Sequence, residues 1–284
     1  MKDLREYCRP STPEEAVAIK REYGTRAVYL AGGSDLLVSR PTGVEMAIDI
    51  RFAGMDYVRR EGAFLAIGGS ALLCQAERQV RTVAHGALWE AFRETAPWLI
   101  RNAATVAGNI ANASPTADSV PALLVLDAEL LLLGQQEESM PLEDVFVGSH
   151  RTALGDRLIR EIRVPARNAD KRAVSAKFSR SKSDIAQVNL AVSLRMEDGA
   201  AREVRIALGA VAPTPIRVLR AEQALEGRRV TDDVLAEVER IVREEVRPIS
   251  DWRASAEYRR RMSGVLVRRA LEKAVGTGQW EVVA

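Results

Sequence analysis

Cysteine and histidine are nearly absent from this chain. Two cysteines, Cys8 and Cys74, and two histidines, His85 and His150, are all that its 284 residues contain. Two thiols cannot hold an iron–sulfur cluster, which takes four protein ligands. They do not form a C-x-x-C pair, so no disulfide framework is indicated. A zinc or iron site built from His and Cys is excluded on the same count. Any redox chemistry here must therefore use an organic cofactor. Long apolar runs are missing too. The longest candidate, residues 123–133, is broken by Asp127 and Glu129, so no membrane span is expected. The opening MKDLREYCRP has no apolar targeting core, and the expected location is the cytoplasm. Nor does charge of one sign dominate, because 41 Lys+Arg against 39 Asp+Glu leave a formal +2. The basic residues form no aromatic-laced block, which argues against a nucleic-acid partner. The run Arg259-Arg260-Arg261 reads as a solvated helix face.

What is present is enough apolar sequence, 47%, for two or three cored units. Thr12-Pro13-Glu14-Glu15 is a helix start, with Thr12 as cap, Pro13 at the first helical position and Glu15 completing a capping box. Gly24 is a natural stop for that helix. Residues 26–31 read as a buried strand, residues 46–50 as a second strand, and residues 57–68 as a hairpin turning at Glu61-Gly62. Helical periodicity covers 70–80, 82–95 and 118–126. Strands are expected at 128–133 and 157–164. Beyond residue 170 the strands 174–180, 187–196 and 203–211 come first, the last two as a hairpin at Asp198-Gly199. Helices at 217–226, 232–246 and 254–275 follow. Strands then helices indicate a separate α+β unit, with a seam near residues 166–170.

Two segments carry the chemistry. Residues 105–121, TVAGNIANASPTADSVP, place a glycine turn, asparagines, hydroxyls and one aspartate between apolar runs. That composition suits a surface for a phosphorylated, hydrogen-bonding ligand. Thr105 and Gly108 offer a hydroxyl and free amides, while Asn109 and Asn112 offer donors and acceptors. Asp118 is acceptor-only when ionised and suits a sugar diol; its ordinary alternative is a helix cap. Ser114 ordinarily shapes the turn. The second segment, AGGSDLL at 31–37, follows a strand. Gly32 and Gly33 let the backbone approach an anion. Ser34 adds a hydroxyl, and Leu36 opens a short helix whose amides face the same anion. A plain turn capped by Ser34 or Asp35 is the alternative. A nicotinamide-type site is disfavoured, because G-x-G-x-x-G is missing. Pro41 and Gly43 also leave little room for the crossover that parallel neighbours need, so Asp49 reads as structural. Lys177 reads either as a point charge for a pyrophosphate or as a solvated strand-end lysine. Phe178 reads as core.

Together these segments resemble the flavin-binding medium subunit of the molybdenum hydroxylases, the xanthine dehydrogenase and carbon monoxide dehydrogenase family. The resemblance spans nearly the whole chain. It runs through LAGGSDLLV at 30–38, IGGSALLCQAE at 67–77, IRNAATVAGNIANASPTADSVPALLVLDAEL at 100–130, LIREIRVP at 158–165 and AKFSRSKSDIAQVNLAVSL at 176–194. It implies an α+β chain with a vanillyl-alcohol-oxidase-like FAD domain of two subdomains, 1–55 and 56–168. A domain of small antiparallel sheet and helices, 169–284, would follow. It implies FAD held by Leu30, Ala31, Gly32, Gly33, Ser34, Asp35, Leu36 and Leu37 from the first segment. Thr105, Val106, Ala107, Gly108, Asn109, Ser114 and Asp118 would add the second, and Ile159 and Lys177 would complete the pocket. The loop 179–187 would approach the flavin edge. Ala107 stands where the family commonly has glycine, and a positive φ there would cost roughly 1 kcal/mol. The implied role is electron transfer from iron–sulfur clusters of one partner chain, fed by a molybdopterin subunit, through FAD to NAD+ or another acceptor. No side chain is implied as acid, base or metal ligand. A self-contained FAD oxidoreductase and a non-redox assembly subunit are the alternatives.

Overall fold

A computed structural model describes residues 2–81 and 86–276. The first unit is a three-stranded sheet. β1 (Glu6–Cys8) and β2 (Ala27–Leu30) flank β3 (Met46–Asp49), and both pairings are parallel. α1 (Pro13–Tyr23) joins β1 to β2. Its cap is the one the sequence indicates, with Thr12 Oγ1 accepting from the Glu15 amide. The Glu15 carboxylate reaches back to the Ser11 amide. α2 (Leu36–Ser39) is the only helix between β2 and β3. The argument that this link is too short for parallel neighbours is therefore overturned. Residues 31–45 supply the length of about a dozen residues that a crossover needs, mostly as loop. Asp49 is structural, as read: it is fully buried and accepts from Tyr7 Oη and the Arg51 guanidinium.

The second unit is an antiparallel sheet ordered β4 (Val58–Glu61), β5 (Phe64–Gly68), β10 (Leu158–Pro165), β6 (Glu129–Leu133) and β7 (Glu137–Pro141). Five short helices cover it: α3 (Leu73–Gln79), α4 (Ala87–Glu94), α5 (Trp98–Arg101), α6 (Val106–Asn112) and α7 (Val120–Val125). β8 (Phe146–Gly148) and β9 (Arg151–Thr152) form a small ribbon before β10. Residues 82–85, including His85, lie outside the described residues, so the helix expected over 82–95 is described only as α4. Both edges of the five-stranded sheet are polar. β4 presents Arg59, Arg60 and Glu61, and β7 presents Glu137 and Glu138.

The third unit is the antiparallel sheet β11 (Arg172–Phe178), β12 (Val188–Glu197), β13 (Ala200–Gly209) and β14 (Ile216–Arg217), followed by α8 (Leu219–Leu225), α9 (Asp232–Glu245) and α10 (Ala256–Val275). Strand alternation decides its two faces. Leu190, Val192, Ile206 and Leu208 pack with the helices that follow, whereas Ala173, Ala191 and Ala207 join the core of the second unit. Alanine on that face lets α7, buried along its whole length, lie close to the sheet.

The arginine run on α10 is not a solvated face at its first residue. Arg259 is 1% exposed. Its guanidinium donates to the Gln187 and Ala210 carbonyls and to Asp251. An arginine is buried here because its fork ties three chain segments together through charge-assisted hydrogen bonds. Among the described residues no helix is long and apolar enough to cross a membrane.

Two carboxylates in different units carry a pH signature. Burial raises the pKa of Asp49, but hydrogen bonds from Arg51 and Tyr7 outweigh it and hold the group at about 2. Burial likewise raises Asp251, and bonds from Arg253 and Arg259 bring it to about 2. Both values lie below the ordinary 3.8. The stability these groups contribute is therefore present above about pH 4 and is lost as pH falls toward 2. Melting temperature should fall over that window, and more shallowly in a D49N/D251N variant; equal slopes would remove the assignment.

Candidate functional site

A cavity of about 350 Å³ lies between the first and second units. Its walls come from segments far apart in sequence. The end of β2 and the bend after it supply Tyr29, Ala31, Gly32, Gly33, Ser34, Asp35 and Leu36. The loop before α6 and its first turn supply Thr105, Ala107, Gly108 and Asn109, and the start of β10 supplies Arg157 and Ile159. Both segments singled out in the sequence thus face one space.

The bend at 31–35 is built by glycine for two different reasons. Gly33 has φ of +68°, a conformation that side-chain-bearing residues avoid. Gly32 is needed for space, since a Cβ there would lie 2.0 Å from the Ala103 carbonyl oxygen. The backbones of two units touch at this point. Beyond it the amides of Gly33, Ser34, Asp35 and Leu36 have no partner among the described residues. Successive free amides in a concave bend form an anion-binding nest. Asp35 stands at the N-cap of α2 without capping it.

The second segment differs from the glycine turn expected. Residues 106–112 are α6, and Thr105 caps it, accepting from the Gly108 amide at 2.9 Å. Gly108 therefore does not offer a free amide. A Cβ on it would lie 2.8 Å from Thr105 Oγ1, so glycine there protects the cap. The Val106 amide donates to the Ala71 carbonyl and the Asn109 amide to Thr105. The Ala107 amide alone in that turn has no partner among the described residues. Ala107 is helical and absent from the positive-φ positions, so no backbone strain falls on it; the family's glycine is not required here for conformation.

Six of the expected residues do not line this cavity. Asp118 neither caps α7 nor appears on the cavity wall. Its carboxylate accepts from Lys177 Nζ at 2.8 Å and from Asn189 Nδ2 at 2.8 Å. Lys177 also donates to the Glu94 carbonyl, and its side chain is 5% exposed. It is neither a solvated lysine nor an open point charge. This buried pair clamps β11 and β12 to the turn before α7. Burial raises the Asp118 pKa against the opposing pull of Lys177 and Asn189. Leu37 folds outward over Gly33 and is half exposed. Ser114 bonds to Thr116, which is the turn-shaping alternative. Val106 is buried in the core of the second unit. Leu30 pairs with Asp49 in the parallel sheet.

Two residues on the wall carried no signal in the sequence. Arg157, at the mouth of β10, is the single cationic side chain among the described lining residues. It donates to the Ala153 and Leu154 carbonyls and to Glu138, and Gly134 leaves room for its stem. Tyr29 donates from Oη to the Asp156 carbonyl. Burial and the Asp156 carboxylate both push its phenol pKa upward, so it remains a donor at neutral pH. Free amides, one guanidinium and hydroxyls around one space match an anionic ligand carrying phosphates. Among the described residues no cluster of His, Cys, Asp or Glu is placed to hold a metal.

Comparison with known proteins gives the same ligand class. Residues 2–167 match the family described as FAD binding domain in molybdopterin dehydrogenase, and residues 173–274 match the carbon monoxide dehydrogenase flavoprotein C-terminal domain. The carbon monoxide dehydrogenase medium chain of Hydrogenophaga pseudoflava is 31% identical, with 95% of this chain and 96% of that one aligned. The putative xanthine dehydrogenase FAD-binding subunit of Escherichia coli K12 is 29% identical over 97% of both chains. The solved structure of carbon monoxide dehydrogenase from Hydrogenophaga pseudoflava superposes with a TM-score of 0.91, covering 97% of this chain and 99% of that one.

Two outcomes follow. Gly32→Ala should lower stability by on the order of 3 kcal/mol, since backbone, not a flexible side chain, meets the new methyl. Urea unfolding of that variant at wild-type midpoint would refute the contact. Lys177→Met strands a buried carboxylate and should cost about 3–5 kcal/mol, most of it recovered in the D118N/K177M double variant. A double variant as unstable as the single one would show that the pair is not the clamp.

Proposed function

The chain belongs to the FAD-binding, medium-subunit family of the molybdenum hydroxylases, and from that membership we propose that it is the site where electrons leave such a complex. It is an oxidoreductase subunit with FAD as its cofactor. FAD supplies exchange between one-electron donors and a two-electron acceptor. The donors are iron–sulfur clusters of a partner chain, fed by a molybdopterin subunit in a third, and the acceptor is NAD+ or another oxidant. The division of labour assigned to the chain is residues 1–168 for the cofactor and 169–284 for the domain behind it.

The reading rests on one observation: Gly33 to Leu36 and Ala107, whose amides have no partner among the described residues, line a single cavity. The residues proposed to hold FAD are Ala31 to Leu36, Thr105, Ala107 to Asn109, and Ile159, with Arg157 and Tyr29 added. Each acts by placement. Free amides meet phosphate oxygens without desolvating a buried charge, and Arg157 offsets part of the diphosphate charge. Ile159 gives an apolar surface that excludes water. Asp118 and Lys177 act behind the wall by fixing the C-terminal sheet against it.

The purified chain should carry flavin absorbance in about 1:1 proportion, or acquire it on adding FAD. The assembled complex should reduce NAD+ in the presence of its substrate. Absence of flavin uptake would remove the cofactor assignment. Flavin uptake with reduction of artificial dyes but not NAD+ would remove only the choice of acceptor.

A further inference from the structure

Ser119 stands at the N-cap of α7, where a serine ordinarily accepts from an amide of the first turn. It makes no such bond, and its backbone is already helical at φ −76° and ψ −25°. It is fully buried. Its hydroxyl instead donates to Asn109 Oδ1 at 2.6 Å. A buried hydroxyl that gives up a cap to hold one side chain departs from the local rule without a local gain in stability, and such departures mark functional positions.

Asn109 lies on the cavity wall beside the Ala107 amide. Its amide has two faces of opposite character, a carbonyl and an NH2 group. The Ser119 proton has no other acceptor among the described residues, so if the amide turned over the hydroxyl would become an acceptor and its buried proton would lose its partner. Oδ1 is thereby committed to Ser119, and Nδ2 is the end left for the cavity. Nδ2 has no protein partner among the described residues. Beside it on the wall is the unpartnered Ala107 amide, and an asparagine turned the other way would set a carbonyl oxygen against an anion held there.

We propose that Ser119 is a positioning residue for FAD binding: it fixes the Asn109 amide so that only its donor end meets the cofactor. The inference rests on the FAD reading above. Ser119 itself touches no ligand and acts through Asn109 alone.

The test is a thermodynamic cycle on the full-length apo chain, titrated with FAD and followed by quenching of flavin fluorescence. Asn109→Ala should weaken binding at least about tenfold, and Ser119→Ala by roughly tenfold, as expected for one oriented hydrogen bond to a charged acceptor. The N109A/S119A double variant should bind no worse than N109A, because the serine has nothing left to orient. Ser119→Cys, with a weak S–H donor, should fall between wild type and S119A. Apo melting temperatures of S119A and S119C should stay near wild type. An additive loss in the double variant, or S119A binding like wild type, would overturn the inference. So would loss of fold in both serine variants, which would make Ser119 part of the α7 core. A wild-type chain that takes up no FAD would sink the cofactor reading and this inference with it; wild-type uptake with an unaffected S119A sinks this inference alone.

Discussion

The contact between the Gly32 backbone and the Ala103 carbonyl decides the geometry of everything around it. It brings the first and second units to a separation that no Cβ allows. With that separation set, the residues after Gly32, with their unpaired amides, and Ala107, with its own, line one space rather than two surfaces. A dinucleotide needs both sides at once, because its diphosphate carries more charge than a single short helix end stabilises. The energetics favour this arrangement. Backbone donors arrive already desolvated by the fold and need no side-chain ordering, so their entropy cost falls on folding and not on binding.

Behind the wall, the C-terminal unit is held by polar bonds placed where apolar packing alone would leave its angle free. Ala191 and Ala207 give α7 a smooth surface. Asp118, Lys177 and Asn189 then fix how the sheet sits on it. Arg259 does the same for the loops at the far end. Buried charges stabilise little relative to apolar replacements, but they specify one arrangement out of several.

Much of this could be read from residue order. Period-two and period-3.6 patterns located most strands and helices. Thr12 and Gly24 marked the ends of α1, and the segments 31–37 and 105–121 pointed to a shared ligand. The misreadings have common causes. Gly108 suggested a turn because glycine usually breaks helices, yet here it clears space for the Thr105 cap. Lys177 read as a charge for a pyrophosphate or a solvated strand end, and Arg259 as solvated, because their partners lie 59 and 72 residues away, and no local pattern encodes a distant carboxylate or carbonyl. Arg157 was missed because an arginine just before a strand carries no local signal; only the folded chain sets it on the same cavity as the bend at 31–36. The parallel pairing of β2 with β3 was rejected by counting helix length, although loop serves as crossover in so small a sheet.

The charged margins of the five-stranded sheet bear on how the molecule can assemble. A strand from another chain adding to β4 would meet Arg59, Arg60 and Glu61, and one adding to β7 would meet Glu137 and Glu138. Such margins discourage main-chain addition. Subunit association by extending that sheet is thereby disfavoured, and recognition falls to side-chain surfaces such as the exposed Trp98 and Leu99 or Ile249 and Trp252. Those surfaces can change without disturbing the pairing of the sheet itself.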